Sequence, residues 1–291
     1  MQIAYHLGAH GTDDERLVRG LMRNRATLAE HGTDVPAPRL YRALLPKIAR
    51  SLRGAPAGED AQQVFLDSIL EEHTPARLVL SGEQLLCFPM QAIMPEGFYT
   101  LMPNRVLAYS NLFPMEDTQF FMALKNPATL IPALIAKANG GTYEAVMSGH
   151  DPRQLRWSDV IRATLDVAPG LRLTLWCDED TPFVWPEVVR AVAGLGPEDA
   201  LDTDYDVLGE ILNEDGLAKL KAYFDAKPPT TIEERRRMIS AFLDKFADPA
   251  ALEVELPLPG WTDDLVAEIT DAYLRDCAAI ARFPGVTFIT P

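Results

Sequence analysis

The chain has 291 residues, enough for one large α/β domain or two modest ones, and its 47% hydrophobic and 24% charged content is that of an ordinary globular protein, which excludes wholesale disorder. A formal net charge of −15, spread over patches such as Asp13-Asp14-Glu15, Asp178-Glu179-Asp180 and residues 199–206, repels nucleic acid, anionic membrane surfaces and polyanionic polymers. The three cysteines, Cys87, Cys177 and Cys277, are odd in number, far apart and at no metal-ligand spacing, which fits a reducing cytoplasm; the chain shows neither a signal-peptide pattern nor an apolar run of membrane-spanning length.

Residues 2–7 are a short apolar run fit for a buried strand. Leu17, Leu21 and Leu28 then mark one stripe of a helix ending near Gly32, so the chain opens as strand, tight loop and helix, the start of a βαβ unit. Turn-rich stretches at 35–38 and 54–58 bracket a helix with Leu40, Leu44, Ile48 and Leu52 on one side, and a further helix is predicted over 60–72. Strands are predicted at 77–80, 119–124 and, after a helix at 157–167, 171–176; each is continuously apolar, as parallel strands buried on both faces are. Strands separated by helices predict an α/β fold with a three-layer parallel sheet.

From about Pro197 the pattern turns helical, at 205–226, 232–247 and 263–282, with Pro228-Pro229 and residues 257–259 as punctuation; only 286–289 is extended near the end. The expected organisation is a single domain, 1–291, with an α/β core over 1–196 and a mostly helical extension over 197–291 packed on that core, a small separate subdomain being the alternative. Arg235-Arg236-Arg237, following Glu233-Glu234 in a helical pattern, reads as a solvated helix face.

The stretch HLGAHGTDDERL, residues 6–17, joins the first strand to the first helix. A helix N-terminus carries unpaired amide donors and partial positive charge, and glycines let an anion approach them, so Gly8, Ala9, Gly11 and Thr12 are candidates for holding a phosphate. The same stretch contains Thr12-x-x-Glu15, the pattern of a capping box in which threonine and glutamate side chains take up the first amides themselves. Asp13 and Asp14 would then complement the helix dipole in place of an anion.

This opening resembles the bacterial sulfotransferase family that uses 3′-phosphoadenosine 5′-phosphosulfate, whose members start with a strand and a loop of the type H-x-G-x-H-K-T-G-T-T; His6, Gly8, His10 and Thr12 fall on matching positions. LVLSGEQLLCFP at 78–89, FMALKNPATLIPAL at 121–134, LWCDEDTPFVWPEV at 175–188 and the tail LPGWTDDLV…FPGVTFITP look like the same family, so the resemblance spans nearly the whole chain. It implies a P-loop-type α/β sheet, that phosphosulfate nucleotide or its desulfated form as cofactor without a metal, and a small-molecule or carbohydrate hydroxyl as acceptor. The departures fall at the chemistry. Gly11 stands where the family has its phosphate-neutralising lysine, Asp13-Asp14-Glu15 where it has Gly-Thr-Thr, and Lys125 with Ala133 where it has the arginine and serine that hold the 3′-phosphate. Lysine meets a phosphate as a point charge, without the two-pronged bonding of arginine.

A sulfuryl transfer needs a general base near the sulfate. Glu83, in a Ser-x-Glu that matches the family, is the first candidate and His10 the second; Lys125 is the candidate anion contact. His6, His10, Asp13 and Asp14 are metal-capable residue types, but His6 in a buried strand reads as a core histidine. The acids of CDEDTP, residues 177–182, read as a solvated loop and helix cap. Two accounts of function stand side by side: a sulfotransferase using Glu83 or His10, and a catalytically inactive relative that keeps the fold as a binding or interaction protein.

Overall fold

The computed structural model describes residues 1–71, 74–252 and 258–291. Among them the strands are β1 (Gln2–Leu7), β2 (Thr33–Asp34), β3 (Arg77–Gly82), the short antiparallel pair β4 (Ile93–Met94) and β5 (Gly97–Phe98), then β6 (Asp117–Leu124), β7 (Arg172–Cys177) and β8 (Val286–Phe288). Six of them form one all-parallel sheet in the order β2-β3-β1-β6-β7-β8.

Strand periodicity sorts the side chains into two layers. Ile3, Tyr5 and Leu7 of β1, Phe120, Met122 and Leu124 of β6, and Leu173 and Leu175 of β7 pack beneath the helices Met102–Leu112, Trp157–Val167 and Asp263–Ile280. Ala4, Phe121, Ala123 and Trp176 point the other way, against the helices Arg16–Arg23 and Thr181–Ala193. The fold is therefore a three-layer α/β sheet, and each fully buried strand side chain contributes roughly 1.5–3 kcal/mol.

Tertiary structure redraws several predicted boundaries. The first helix breaks at Asn24, whose side chain donates to Gly20 O and Asp202, and the span 205–226 breaks before Asn213, which caps the helix Glu214–Ala226 by accepting from Gly216 N. The helix predicted to reach Glu72 ends at Ile69; Glu72 itself, and Pro257 of the proline punctuation, lie outside the described residues.

The extension over residues 197–291 divides in two. Helix Asp263–Ile280 packs Tyr273, Cys277 and Ile280 into the main core, and β8 adds a sixth strand beside β7, so the chain returns to the sheet after leaving it. What stands apart is smaller: Leu208, Leu212, Leu220 and Ile239 form a separate cluster against Phe183. Arg235 and Arg236 are not a solvated face either. Both donate to Glu187 on the helix Thr181–Ala193, with side chains only 16% and 17% exposed, and they fasten this cluster to the core. None of the described helices is long and apolar enough to cross a membrane.

Candidate functional site

β1 lies between β3 and β6, and the chain runs to one side of β1 before crossing to the other, which makes the carboxyl edge between β1 and β6 a topological switch point. Residues 8–15 emerge there. Glu83 follows β3, Lys125 follows β6, and Asp178 follows β7, so the parallel register brings all four segments to one edge.

The expected capping box does not form. Asp14 and Glu15 both adopt left-handed backbone, at φ 48° and 65°, and the helix begins only at Arg16. The Thr12 hydroxyl turns back and donates to Ala9 O at 2.8 Å, while Asp13 does the capping: its Oδ1 accepts from Leu17 N at 2.9 Å and its carbonyl accepts from Arg16 N at 2.9 Å. Left-handed non-glycine backbone is strained, and it takes Glu15 out of reach of the Thr12 amide. Glu15 pairs with Arg42 instead.

The loop is nevertheless closed, from outside. Glu83 Oε1 accepts from Gly11 N, and Lys137 Nζ lies 3.0 Å from the Glu83 carboxylate and 2.5 Å from Asp14 Oδ1. Burial works against the Lys137 charge, but its hydrogen bonds to Asp14 and Glu83 prevail and push its ammonium upward, while the Lys137 hydrogen bond holds Asp14 below the usual carboxylate range. On the other flank Lys125 Nζ is paired with Asp178 Oδ2 at 2.5 Å, both side chains being about 15% exposed or less. The Lys125 carbonyl accepts from Trp157 Nε1 at 2.9 Å, and Asn126 donates its amide to Glu179 Oε1 at 3.0 Å while capping the helix Pro127–Lys137. Asp178 and Glu179 thus brace the edge and are not the solvated loop that composition suggests.

Ala133 completes the closure. A Cβ added at Gly11, where φ is 72°, would come 2.8 Å from Ala133 Cβ, with Lys125 Cε and Lys137 Cε both 3.9 Å away. A lysine placed at position 11 would therefore be strained in backbone and crowded by Ala133 together.

His10, the second candidate base, is fully buried, and both ring nitrogens are engaged: Nδ1 with Tyr99 Oη at 2.7 Å and Nε2 with Cys87 O at 3.1 Å. A carbonyl only accepts, so Nε2 carries the proton, and burial holds the ring below its usual value, neutral. No ring nitrogen is left to take a proton from an acceptor. His6 is likewise buried, bonded through Nδ1 to Ser81 Oγ at 2.8 Å and stacked on Trp176. Among the described residues no group of three or more His, Cys, Asp or Glu side chains is placed to hold a metal ion.

Of the sequence-derived candidates, Gly8, Ala9, Gly11, Thr12, Glu83 and Lys125 converge at this edge, and His10 anchors the loop from beneath. Lys137 was missed, although its spacing from Ala133 by one helical turn places the two on one face. Tyr99, which also accepts from His10 N at 3.2 Å, had no local signal at all. A cleft of about 790 Å³ opens at the opposite, amino end of the strands between Gln119, Arg172 and Val286, but Arg172 is its one charged lining group, so it offers no acid–base pair.

Set beside family models, curated proteins and solved structures, the chain matches none of them. The chemistry is accordingly read from the edge itself: cations and carboxylates paired off, with no uncompensated cation among Lys125 and Lys137 to attract an anion.

The Asp178 carboxyl makes this pairing sensitive to pH. Burial pushes it up to about 6, against the pull of Lys125. An acid that holds its proton more tightly folded than unfolded stabilises the fold at low pH, and that contribution disappears as pH rises through about 6. Relative to an Asp178→Asn variant, the wild type is expected to lose ~3 kcal/mol of unfolding free energy between about pH 4 and 6.5, at ~1.4 kcal/mol per pH unit. Urea denaturation across that range measures it; a difference between the two proteins that does not change with pH would contradict the assignment.

Proposed function

We propose that this chain is a sulfotransferase-type α/β protein of the P-loop class whose nucleotide edge is held shut by its own carboxylates, and that it serves as a binding or interaction protein without sulfuryl transfer. The observation that carries this reading is Glu83, which accepts from Gly11 N and sits against Lys137, so that a carboxylate occupies the donors an anionic ligand would need. The motif similarity, the parallel sheet and the meeting of residues 8–15 with Lys125 and Ala133 at its carboxyl edge support the family part. The three free thiols suit a cytoplasmic setting.

A specific observation favours the second reading, an active enzyme: Glu83, Lys125 and Lys137 already flank one loop. In that case 3′-phosphoadenosine 5′-phosphosulfate displaces Asp14 and Asp178 from the lysines, and Glu83 takes the proton of a small-molecule or carbohydrate hydroxyl. Thermal unfolding with millimolar 3′-phosphoadenosine 5′-phosphate separates the two. A ligand at a hundred times its Kd adds ~2.7 kcal/mol to the native state, several degrees in Tm. The closed protein is expected to show no shift and no heat in titration calorimetry, whereas saturable binding with sulfuryl transfer abolished by Glu83→Gln would establish the enzyme.

A further inference from the structure

The amino ends of the strands hold a second polar cluster, at the opposite end of the sheet from residues 8–15. Arg77, 5% exposed, donates to Ala191 O and Val192 O near the end of the helix Thr181–Ala193, and to the side-chain oxygens of Gln2 at 2.9 Å and Gln119 at 3.0 Å. Among the described residues it donates to no carboxylate. Gln2 and Gln119 relay the contact: both amides donate to Asp117 Oδ2, which also accepts from Arg172 Nη1 at 3.0 Å. Two guanidiniums thus share one carboxylate, and the carbonyl end of the helix offsets only part of the excess. The neighbouring Met1 ammonium is already paired with Glu116. Even in a chain of net charge −15, this end is locally short of negative charge.

Arg172 also lines the cleft of about 790 Å³ at these strand ends. β7 is an inner strand of an all-parallel sheet, where both faces are normally covered and apolar. Here the helix Thr181–Ala193 lies over β1 and β3, and on that face the amino half of β7 is open: the Arg172 side chain is 64% exposed and Thr174 is half-buried. Arg172 and Thr174, two residues apart, point to one side. The register sets Gln119 beside Arg172 and Thr287 beside Thr174, about 5 Å away across each pair of strands. With Nη1 held by Asp117, the Nε–Nη2 edge of Arg172 makes no hydrogen bond among the described residues, and neither do the Thr174 and Thr287 hydroxyls. Leu165 and Val286 supply apolar walls.

We infer that this cleft binds a small organic monocarboxylate, its carboxylate on the free edge of Arg172 beside Thr174 and Thr287 and its apolar body against Leu165 and Val286. The guanidinium edge gives a carboxylate two parallel N–H bonds. A single charge follows from the balance, since the cluster lacks about one unit and the field of the whole chain opposes a polyanion. The apolar walls favour an organic acid over inorganic phosphate. None of this depends on whether residues 8–15 bind a nucleotide.

A ligand-observed NMR titration of the native protein with hexanoate at low ionic strength tests it, with 1-hexanol and inorganic phosphate as comparison ligands. Hexanoate is expected to saturate one site at least ~10-fold more tightly than either, the worth of one charge-assisted pair. Arg172→Gln, at an exposed position, is expected to weaken hexanoate by at least ~10-fold and to leave hexanol unchanged, and Thr174→Val with Thr287→Val to weaken hexanoate about threefold. Hexanol or phosphate bound as tightly as hexanoate, no saturation by hexanoate at about 20 mM, or unchanged hexanoate binding by Arg172→Gln overturns the assignment. The comparison of the three ligands on wild-type protein decides it whether or not the variants fold.

Discussion

Replacing Glu83 with glutamine and Asp14 with asparagine is expected to turn the closed edge into an anion site, with inorganic phosphate bound at least ~100-fold more tightly than by the wild type. Each carboxylate within about 4 Å of an incoming anion costs ~4 kcal/mol per pair of unit charges at an effective dielectric near 20, and two such carboxylates now face Gly11 and Lys137. Less than half of that repulsion, once relieved, accounts for two decades of affinity at ~1.4 kcal/mol each. Glutamine keeps an acceptor for Gly11 N, and of the two ion pairs lost by Lys137 one is to an Asp14 side chain 67% exposed and the other to a Glu83 side chain 17% exposed, so stability should fall by about 1–2 kcal/mol. Titration calorimetry with phosphate reads the result. Equal, weak binding by both proteins would mean that electrostatic closure is not what empties the edge.

Gly8→Ala is expected to be the most damaging single change at the site. Gly8 has ordinary backbone, but a Cβ there would fall inside 3.0 Å of Glu83 Cα. The atom in the way is backbone, and it is held because Leu7 and Gly82 are register partners of β1 and β3 and Gly8 N donates to Gly82 O. Neither strand can yield without disturbing the centre of the sheet. The overlap is worth ~3 kcal/mol, a fall of about 6–12 °C in Tm for a chain of this size. Gly209→Ala is the contrast: the new Cβ would meet Leu217 Cδ2 at 3.6 Å, ordinary contact, inside the helix Asp206–Ile211. There the substitution should leave stability unchanged or raise it by up to ~1 kcal/mol. Thermal melts of the two variants compare them directly; similar Tm values would refute the close approach of β1 and β3 at this point.

The contrast between these glycines shows why the fold was more legible than the site. Runs such as 119–124 are apolar on both faces, and that property belongs to the residues themselves, so β6 is legible together with β1, β3 and β7. β2, with two residues, carries too little pattern to be seen, and it exists because Thr33 and Asp34 pair with Arg77 and Leu78. β8 was visible as an extended stretch, but its place beside β7 depends on a helix that returns to the core.

At the candidate site, residue types pointed to this edge but not to the bonds made there. Thr12 and Glu15 have the spacing of a capping box, yet left-handed backbone at Asp14 and Glu15 hands the cap to Asp13. The acids of residues 178–180 look solvated by composition, yet Asp178 finds Lys125 and Glu179 finds Asn126 and Tyr273.

By itself the sequence determined the parallel α/β architecture and the crowding of acids, Asp13 to Glu15, into the loop after the first strand. Periodicity, apolar content and charge are local quantities, and they survive without neighbours. Only the tertiary structure decided which donor meets which acceptor: that Glu83, and not Glu15, takes the Gly11 amide, that Ala133 fills the space before Gly11, and that Lys137 joins Asp14 to Glu83. Hydrogen bonds and ion pairs act over a few ångströms, here between segments 54 to 123 positions apart in the chain, and no local pattern encodes such a meeting.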